Sequence, residues 1–457
     1  MSSLLQLNKM REYFLSGATR PIAFRKQQLK QLRQSILQYE GALNEALYKD
    51  LKKSKEEVWF SETGLVLSEI NYFLKQIDDL AAPRRVSTNL INMPGKSYVM
   101  YEPLGVVLII APWNYPFQLL FLPLVGAIAA GNCIVLKPSE ITTATEAVMQ
   151  QIIAETFEPY YVSYVTGEGA AVIPEMMQQF KFDHVFYTGG TAVGKIIYRL
   201  AAEQLTPVTL ELGGKSPCVV TPNADLKLAA RRIALAKFSN AGQMCITPDY
   251  LLPHQSVKDT LVALLKETIN KFYGEQPVES YDYGRIVSKK QFSRLMQYLH
   301  QGKVLAGGTH NEELLYIAPT LLEVTDTSLP IMQEEIFGPI LPILTYNDDN
   351  EALQIIRQNP DPLAFYVFTN NKVEADDWLQ QVPSGGACVN TVARHYLNKS
   401  LPFGGRGNSG IGRYHGAYSF ETFSHQKAVL KAATWPDPTF AYPPYQGKIG
   451  IFKKLIR

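Results

Sequence analysis

Cys245 is set apart from the other cysteines by its surroundings. It ends the segment FSNAGQMC, after a glycine-containing turn in a polar stretch, where a thiolate can be presented for attack on an electrophile. Cys133 and Cys218 sit in apolar, strand-like runs that suit inert core positions, and Cys388 is intermediate. A cysteine hydrolase would need an imidazole partner; His184 and His254 are nearest in sequence, and neither carries a recognisable signature. Glu211 follows an apolar run and precedes Gly-Gly in ELGGKSP. Burial at a strand end would make it a general base, whereas the plainer reading is a surface ion pair with Lys215. Asn114 lies between prolines in APWNYP. Its amide can donate to a developing oxyanion, although asparagine is equally a turn former.

Three further segments could hold a cofactor. YTGGTAVGK places Gly189, Gly190 and Thr191 between a strand and a helix, where bare backbone N–H groups suit a pyrophosphate. The spacing departs from GxGxxG, so an ordinary tight turn stays open. KPSE follows the strand-like CIVL; Lys137 and Glu140 there could hold ribose hydroxyls or be merely solvated beside a helix capped by Ser139. In EEIFGP, Glu335 could bind ribose hydroxyls while Phe337 packs on a flat ring, and PFGG offers Phe403 to a pocket. For each of these the alternative is a loop with a core aromatic.

These residues need elements to position them. Up to about residue 80 the chain reads as helices, with Leu29, Leu32, Ile36 and Leu37, then Val66, Leu67, Ile70 and Phe73, near helical spacing. Residues 97–102 look extended, as one arm of a projecting hairpin. From residue 104 short β-branched runs alternate with helical stretches: strands at 104–111, 133–136, 161–165, 184–188 and 207–210, and helices at 124–131, 170–178 and 194–202. That rhythm predicts an α/β fold with a mostly parallel, doubly wound sheet. A second series runs from 218 to about 389, with a helix over 226–238 and a strand in ILPILTY. The expected domains are 1–210 for the cofactor (with the hairpin at about 84–102), 211–395 for catalysis, and 396–457 as a bridging strand and tail.

At 457 residues the chain is too long for one ordinary core. Lys+Arg (44) nearly balances Asp+Glu (42), so no whole-chain field attracts nucleic acid. No CxxC pair and no histidine cluster at zinc-ligand spacing occurs, so no metal is expected. The low cysteine content and the lack of a signal-peptide pattern near the start point to a cytoplasmic protein. The longest apolar stretch, 117–130, is too short to span a bilayer. In the final KIGIFKKLIR, Ile449, Phe452 and Ile456 share one helical face, with Lys448, Lys453, Lys454 and Arg457 elsewhere. Such a face offers a weak contact to an anionic membrane; packing on the protein is the competing reading.

Taken in order, PWNYP, KPSE, G-x-T-x-x-G, ELGGKSP, GQ-x-C, EEIFGP and PFGG resemble the aldehyde dehydrogenase superfamily, over nearly the whole chain. REYFLSGATRPIAFRKQQL, CITPDY and YHGAYSFETFSHQ are similar to the class 3 branch, which acts on fatty and aromatic aldehydes. The resemblance implies a Rossmann-like cofactor domain, an α/β catalytic domain, a bridging element and a homodimer. It implies Cys245 as nucleophile, Glu211 as general base and Asn114 as oxyanion donor. Lys137, Glu140, Gly189, Thr191, Glu335 and Phe337 fall at cofactor positions. Tyr115, Met244 and Phe403 are expected to line an apolar substrate pocket. The implied reaction is NAD(P)-dependent oxidation of an aldehyde to the acid through a Cys245 thiohemiacetal and thioester. Transfer of the acyl group to CoA, or a binding protein that kept the fold without turnover, are the alternatives. Glu140 should repel a 2′-phosphate and favour NAD, with NADP left open by Lys137 nearby. Two departures stand out: Met244 occupies a place where many relatives have Thr, and Gly190 one where Ser or Asn is usual.

Overall fold

The structure is a computed structural model that describes residues 4–456; Arg457 of the basic tail lies outside the described residues. The first helices, Leu4–Leu15, Ile22–Gln38, Glu40–Leu51 and Gly64–Ala81, bury the apolar stripe that their spacing predicts. Leu37 is the exception. It is 40% exposed, because Leu29, Leu32 and Ile36 already fill the inward face at helical spacing.

Two mainly parallel sheets follow. The six-stranded sheet has the spatial order Gly410–Ile411, Val208–Glu211, His184–Thr188, Val106–Ile110, Cys133–Lys137, Val162–Tyr164. All its pairs are parallel except the short outer strand Gly410–Ile411, which the chain supplies from far downstream. Val106–Ile110 comes first in the chain and lies between Cys133–Lys137 and His184–Thr188. The winding direction therefore reverses beside it, and the connections leaving its end and that of His184–Thr188 diverge to open a crevice. The second, seven-stranded sheet runs Lys303–Ala306, Thr320–Glu323, Ile340–Ile343, Tyr250–Pro253, Pro217–Val220, Ala364–Phe368, Gly386–Val389. Its inner strands are wholly or largely buried, which fits their near-continuous apolar composition, while the two edge strands Lys303–Ala306 and Gly386–Val389 are more exposed.

The projecting hairpin is real, and it gains a third strand. Arg84–Val86 pairs antiparallel with Lys96–Pro103, whose other edge takes Ser424–Lys431.

Two local expectations need correction. The helix expected at 124–131 begins at Pro116 and runs to Ala130 with Pro123 inside it. Pro116 needs no N–H in the first turn, and a helix buried along its whole length outweighs the hydrogen bond that Pro123 forfeits. Ser139 does not cap a helix either. Its hydroxyl accepts from the Ile141 N–H at 3.3 Å, and the next helix, Thr143–Thr156, starts later. That helix is capped instead by Asp50, which accepts from the Thr145 N–H at 2.8 Å. A cap 95 residues away is invisible to local spacing. Among the described residues no helix is long and apolar enough to cross a membrane.

Candidate active site

The six-stranded sheet points its crevice at residues that immediately precede strands of the second sheet. From the first sheet come Pro112, Trp113 and Asn114, after Val106–Ile110, and Gly189 and Gly190, after His184–Thr188. Opposite stand Gly213, Cys245, Glu335 and Phe337. Together they enclose a cavity of about 290 Å³ that also reaches Glu211, Leu212, Gln291 and Arg294.

A smaller cavity, about 40 Å³, also borders Cys245 and is lined by Tyr115, Gln118, Thr188, Glu211, Met244, Tyr396, Phe403, Tyr414 and His415 among others. It continues through Ser61, Tyr115, Met244 and Tyr396 into an outer vestibule of about 490 Å³. Cys245 and Glu211 are thus common to the inner end of this channel and to the first cavity. Tyr115, Met244 and Phe403 all line the inner channel.

Electrostatics at the centre are set by burial. Glu211 ends the strand Val208–Glu211 and is 3% exposed, and neither carboxylate oxygen has a hydrogen-bond partner among the described residues. Burial pushes its carboxyl well above the usual range. The surface ion pair with Lys215 does not form: Lys215 is buried and bonds Asp249 and the carbonyls of Ile331 and Glu334. Cys245 is pushed up by burial first, then by the carboxylates of Glu335 and Glu211, against the hydrogen bonds of its own and the Ile246 N–H groups. The polar-looking segment GQMC therefore does not present a ready thiolate, and the thiol must lose its proton to a base in the site. Thr188 Oγ1 and His415 Nε2 also lack partners among the described residues and face the small cavity with Glu211. His415 Nδ1 bonds the Tyr396 carbonyl at 3.0 Å, so that nitrogen carries the proton and Nε2 is an acceptor. Burial holds the ring neutral by lowering its pKa to about 4.

Asn114 is 2% exposed; its Nδ2 donates to the Gln243 carbonyl at 3.1 Å, tying it two residues upstream of Cys245. The loop before Cys245 carries left-handed backbone at Asn240 (φ 48°), Ala241 (φ 51°) and Gly242 (φ 74°). Strain of that kind persists only where neighbours over-determine it, and the Asn240 and Gln243 side chains do so by bonding surrounding carbonyls.

The cavity of about 290 Å³ has features that suit part of a dinucleotide. The helix Thr191–Glu203 begins at Gly190 with no side-chain cap, leaving its first N–H groups to a ligand. Glu335 is half-buried, and desolvation raises its carboxyl to about 8. Phe337 holds a left-handed conformation (φ 52°) with its ring 5.2 Å from that of Trp113, edge to face. Lys137 is 1% exposed and bonds Glu140 at 3.1 Å and the Pro138 carbonyl at 2.5 Å. Lys137, Glu140 and Thr191 are not in the lining of this cavity. The 3.1 Å bond takes up part of the Lys137 charge, leaving the half-exposed Glu140 carboxylate to set the sign there.

A family model for the aldehyde dehydrogenase family matches residues 6–429. The chain belongs to the aldehyde dehydrogenase family. A 4,4'-diaponeurosporen-aldehyde dehydrogenase of Staphylococcus aureus is 45% identical over 97% of this chain and 97% of its own. A mouse aldehyde dehydrogenase described as dimeric and NADP-preferring is 43% identical over 97% and 98%. The solved structure of a substrate-bound state of Staphylococcus aureus AldH superposes with a TM-score of 0.97 at 44% identity, covering 99% of each chain. Family 3 members are also among the relatives, in keeping with the class 3 resemblance.

Local reading missed several residues of this dehydrogenase site. Tyr396, Tyr414 and His415 lie in the Gly- and aromatic-rich run after the second sheet, where their density was the only signal. Lys53 and Glu62 sit in a charge-rich stretch where nothing local marks them out, and both are fully buried.

Proposed function

We propose that this aldehyde dehydrogenase oxidises an apolar aldehyde, of medium or long chain or aromatic, to the carboxylic acid with a nicotinamide dinucleotide. The observation that carries the reading is the shared wall: Cys245 and Glu211 border both the substrate channel and the cavity of about 290 Å³ beside Gly189, Glu335 and Phe337. An aldehyde carbon entering past Tyr115, Met244 and Phe403 meets the Cys245 sulfur. Once its proton has passed to a base in the site, the Cys245 thiolate adds to it and gives a tetrahedral thiohemiacetal oxyanion. The Asn114 amide and the Cys245 backbone N–H stabilise its oxyanion, each worth about 2.7–4 kcal/mol in other enzymes. A bound nicotinamide supplies the acceptor for the hydride that leaves as the oxyanion collapses. Cys245 then carries a thioester. Glu211, acting as base, draws a proton from water in the small cavity, where Thr188 and His415 offer further polar contacts, and hydrolysis frees the acid.

Gly189, Thr191, Glu335 and Phe337 would hold the dinucleotide, with Lys137 and Glu140 at its ribose. The negative charge of Glu140 favours NAD over NADP. We assign residues 1–210 to cofactor binding, 211–395 to catalysis, and 396–457 to bridging and the tail. A homodimer is supported by the dimeric mouse relative, and a cytoplasmic setting by four free cysteines. The exposed Ile449 and Ile456 beside Lys453 and Lys454 support a weak membrane contact at the tail.

The test is a panel of aliphatic and aromatic aldehydes with NAD and with NADP, following reduced cofactor and acid. We expect acid formation, a higher kcat/KM with NAD, and no turnover in Cys245→Ala. A product that appears only as acyl-CoA when CoA is added would overturn the hydrolytic step, and a strong NADP preference would remove the role given to Glu140.

A further inference from the structure

A buried ion pair outside the reacting groups meets the backbone of Asn114. Lys53 Nζ donates to Glu62 Oε1 at 2.6 Å and to the Asn114 carbonyl at 2.9 Å. It also stands 3.9 Å from the centroid of the Tyr115 ring, over its face. Glu62 Oε2 accepts from the Gln118 N–H at 2.8 Å, in the first turn of the helix Pro116–Ala130 that follows Asn114. The Asn114 carbonyl takes a second bond, from Asn240 Nδ2 at 2.9 Å. Asn114 is therefore gripped at its backbone from two sides and at its amide by Gln243.

Stability alone does not account for this pair. Both side chains are 0% exposed, and desolvating two charges consumes most of what their attraction returns. Glu62 also lies in a single π-helical turn, Trp59–Thr63, within an otherwise α-helical stretch. Such turns recur where a side chain must be re-aimed for function. Here the turn sends Glu62 to the core while its neighbour Ser61 faces the channel.

We infer that Lys53 and Glu62 are positioning residues, a buried clamp that sets the Asn114 amide for the oxyanion. The inference rests on the role proposed above for Asn114. Through the clamp, the channel wall at 54–61 and the segment that carries the oxyanion donor are tied to each other. Lys53 and Glu62 touch no reacting atom. Their effect is on the transition state, where a misplacement of about 1 Å costs on the order of 100-fold in rate.

The test is a mutant cycle. Lys53→Met with Glu62→Gln removes both charges together, so that neither is stranded. This pair is made in the native chain and in Asn114→Ala, and kcat, KM for the aldehyde, thermal unfolding and the rate of Cys245 alkylation by iodoacetamide are measured. We expect kcat to fall about tenfold or more in the native background, with KM and the alkylation rate within about twofold. In the Asn114→Ala background the same pair should cost less than about twofold, because the donor it serves is gone. Equal losses in both backgrounds, or no loss in the native one, would overturn the inference. An Asn114→Ala enzyme with full kcat would instead overturn the Asn114 assignment beneath it. If the double change does not fold, Glu62→Asp, which keeps both charges and shortens the reach, goes through the same cycle with the same two readings.

Discussion

Glu211 shows how burial turns an ordinary carboxylate into a timed base. Its carboxyl is raised by desolvation with no cation beside it to offset the effect, so it gains its basic form at higher pH than an exposed carboxylate does. Raising the pH converts it to the basic form. If hydrolysis of the thioester limits turnover, kcat must therefore climb toward the alkaline side. Glu211→Gln should preserve a first-turnover burst of reduced cofactor and lower the steady rate by about 10²–10⁴-fold, with the alkaline rise lost. Rapid-quench measurement of the burst separates the two steps; loss of the burst itself would move Glu211 from hydrolysis to the acylation step.

The connections between elements divide glycines that matter from one that is spare. Gly213 lies in the short link from Val208–Glu211 to Pro217–Val220, and a Cβ there would collide with the Glu335 carboxylate. Gly190, at the start of Thr191–Glu203, has open space where a Cβ would go. Gly213→Ala should therefore displace Glu335 and weaken dinucleotide binding about tenfold or more, since roughly 1.4 kcal/mol is already a factor of ten. Gly190→Ser should instead add a few tenths of a kcal/mol through the missing cap and tighten the phosphate turn. Fluorescence titration with the dinucleotide and thermal unfolding check both. Unchanged affinity in Gly213→Ala would mean that Glu335 does not hold the cofactor.

At the scale of the molecule, the tail beyond Ser424–Lys431 is distinct from the body. Trp435 is 81% exposed, Ile449 63% and Ile456 72%, while Phe452 packs on Tyr445 of the same tail. Removing residues 433–457 should leave kcat unchanged within about twofold and reduce sedimentation with anionic vesicles, because each lost apolar contact and Lys–lipid attraction is worth on the order of 1 kcal/mol. Equal sedimentation of the intact and shortened chains would end the membrane proposal.

Much of this protein is written locally. Strands such as Val106–Ile110 and His184–Thr188 and the helix Leu226–Phe238 follow from apolar runs and periodicity, which depend only on near neighbours. The ordered motifs carried the family, because seven short segments in sequence leave little room for chance. What those cues could not carry is anything set by residues far apart in the chain. The cap of Thr143–Thr156 by Asp50, the helix that runs through Pro123, and the Lys215–Asp249 pair that frees Glu211 each depend on a distant contact. So does the state of Cys245: its segment reads as polar, but folding half-buries it near Glu335 and Glu211 and raises its thiol. Local composition specifies which element forms. Desolvation and long-range pairing, which exist only once the chain has folded, decide the charge and the aim of the groups that react.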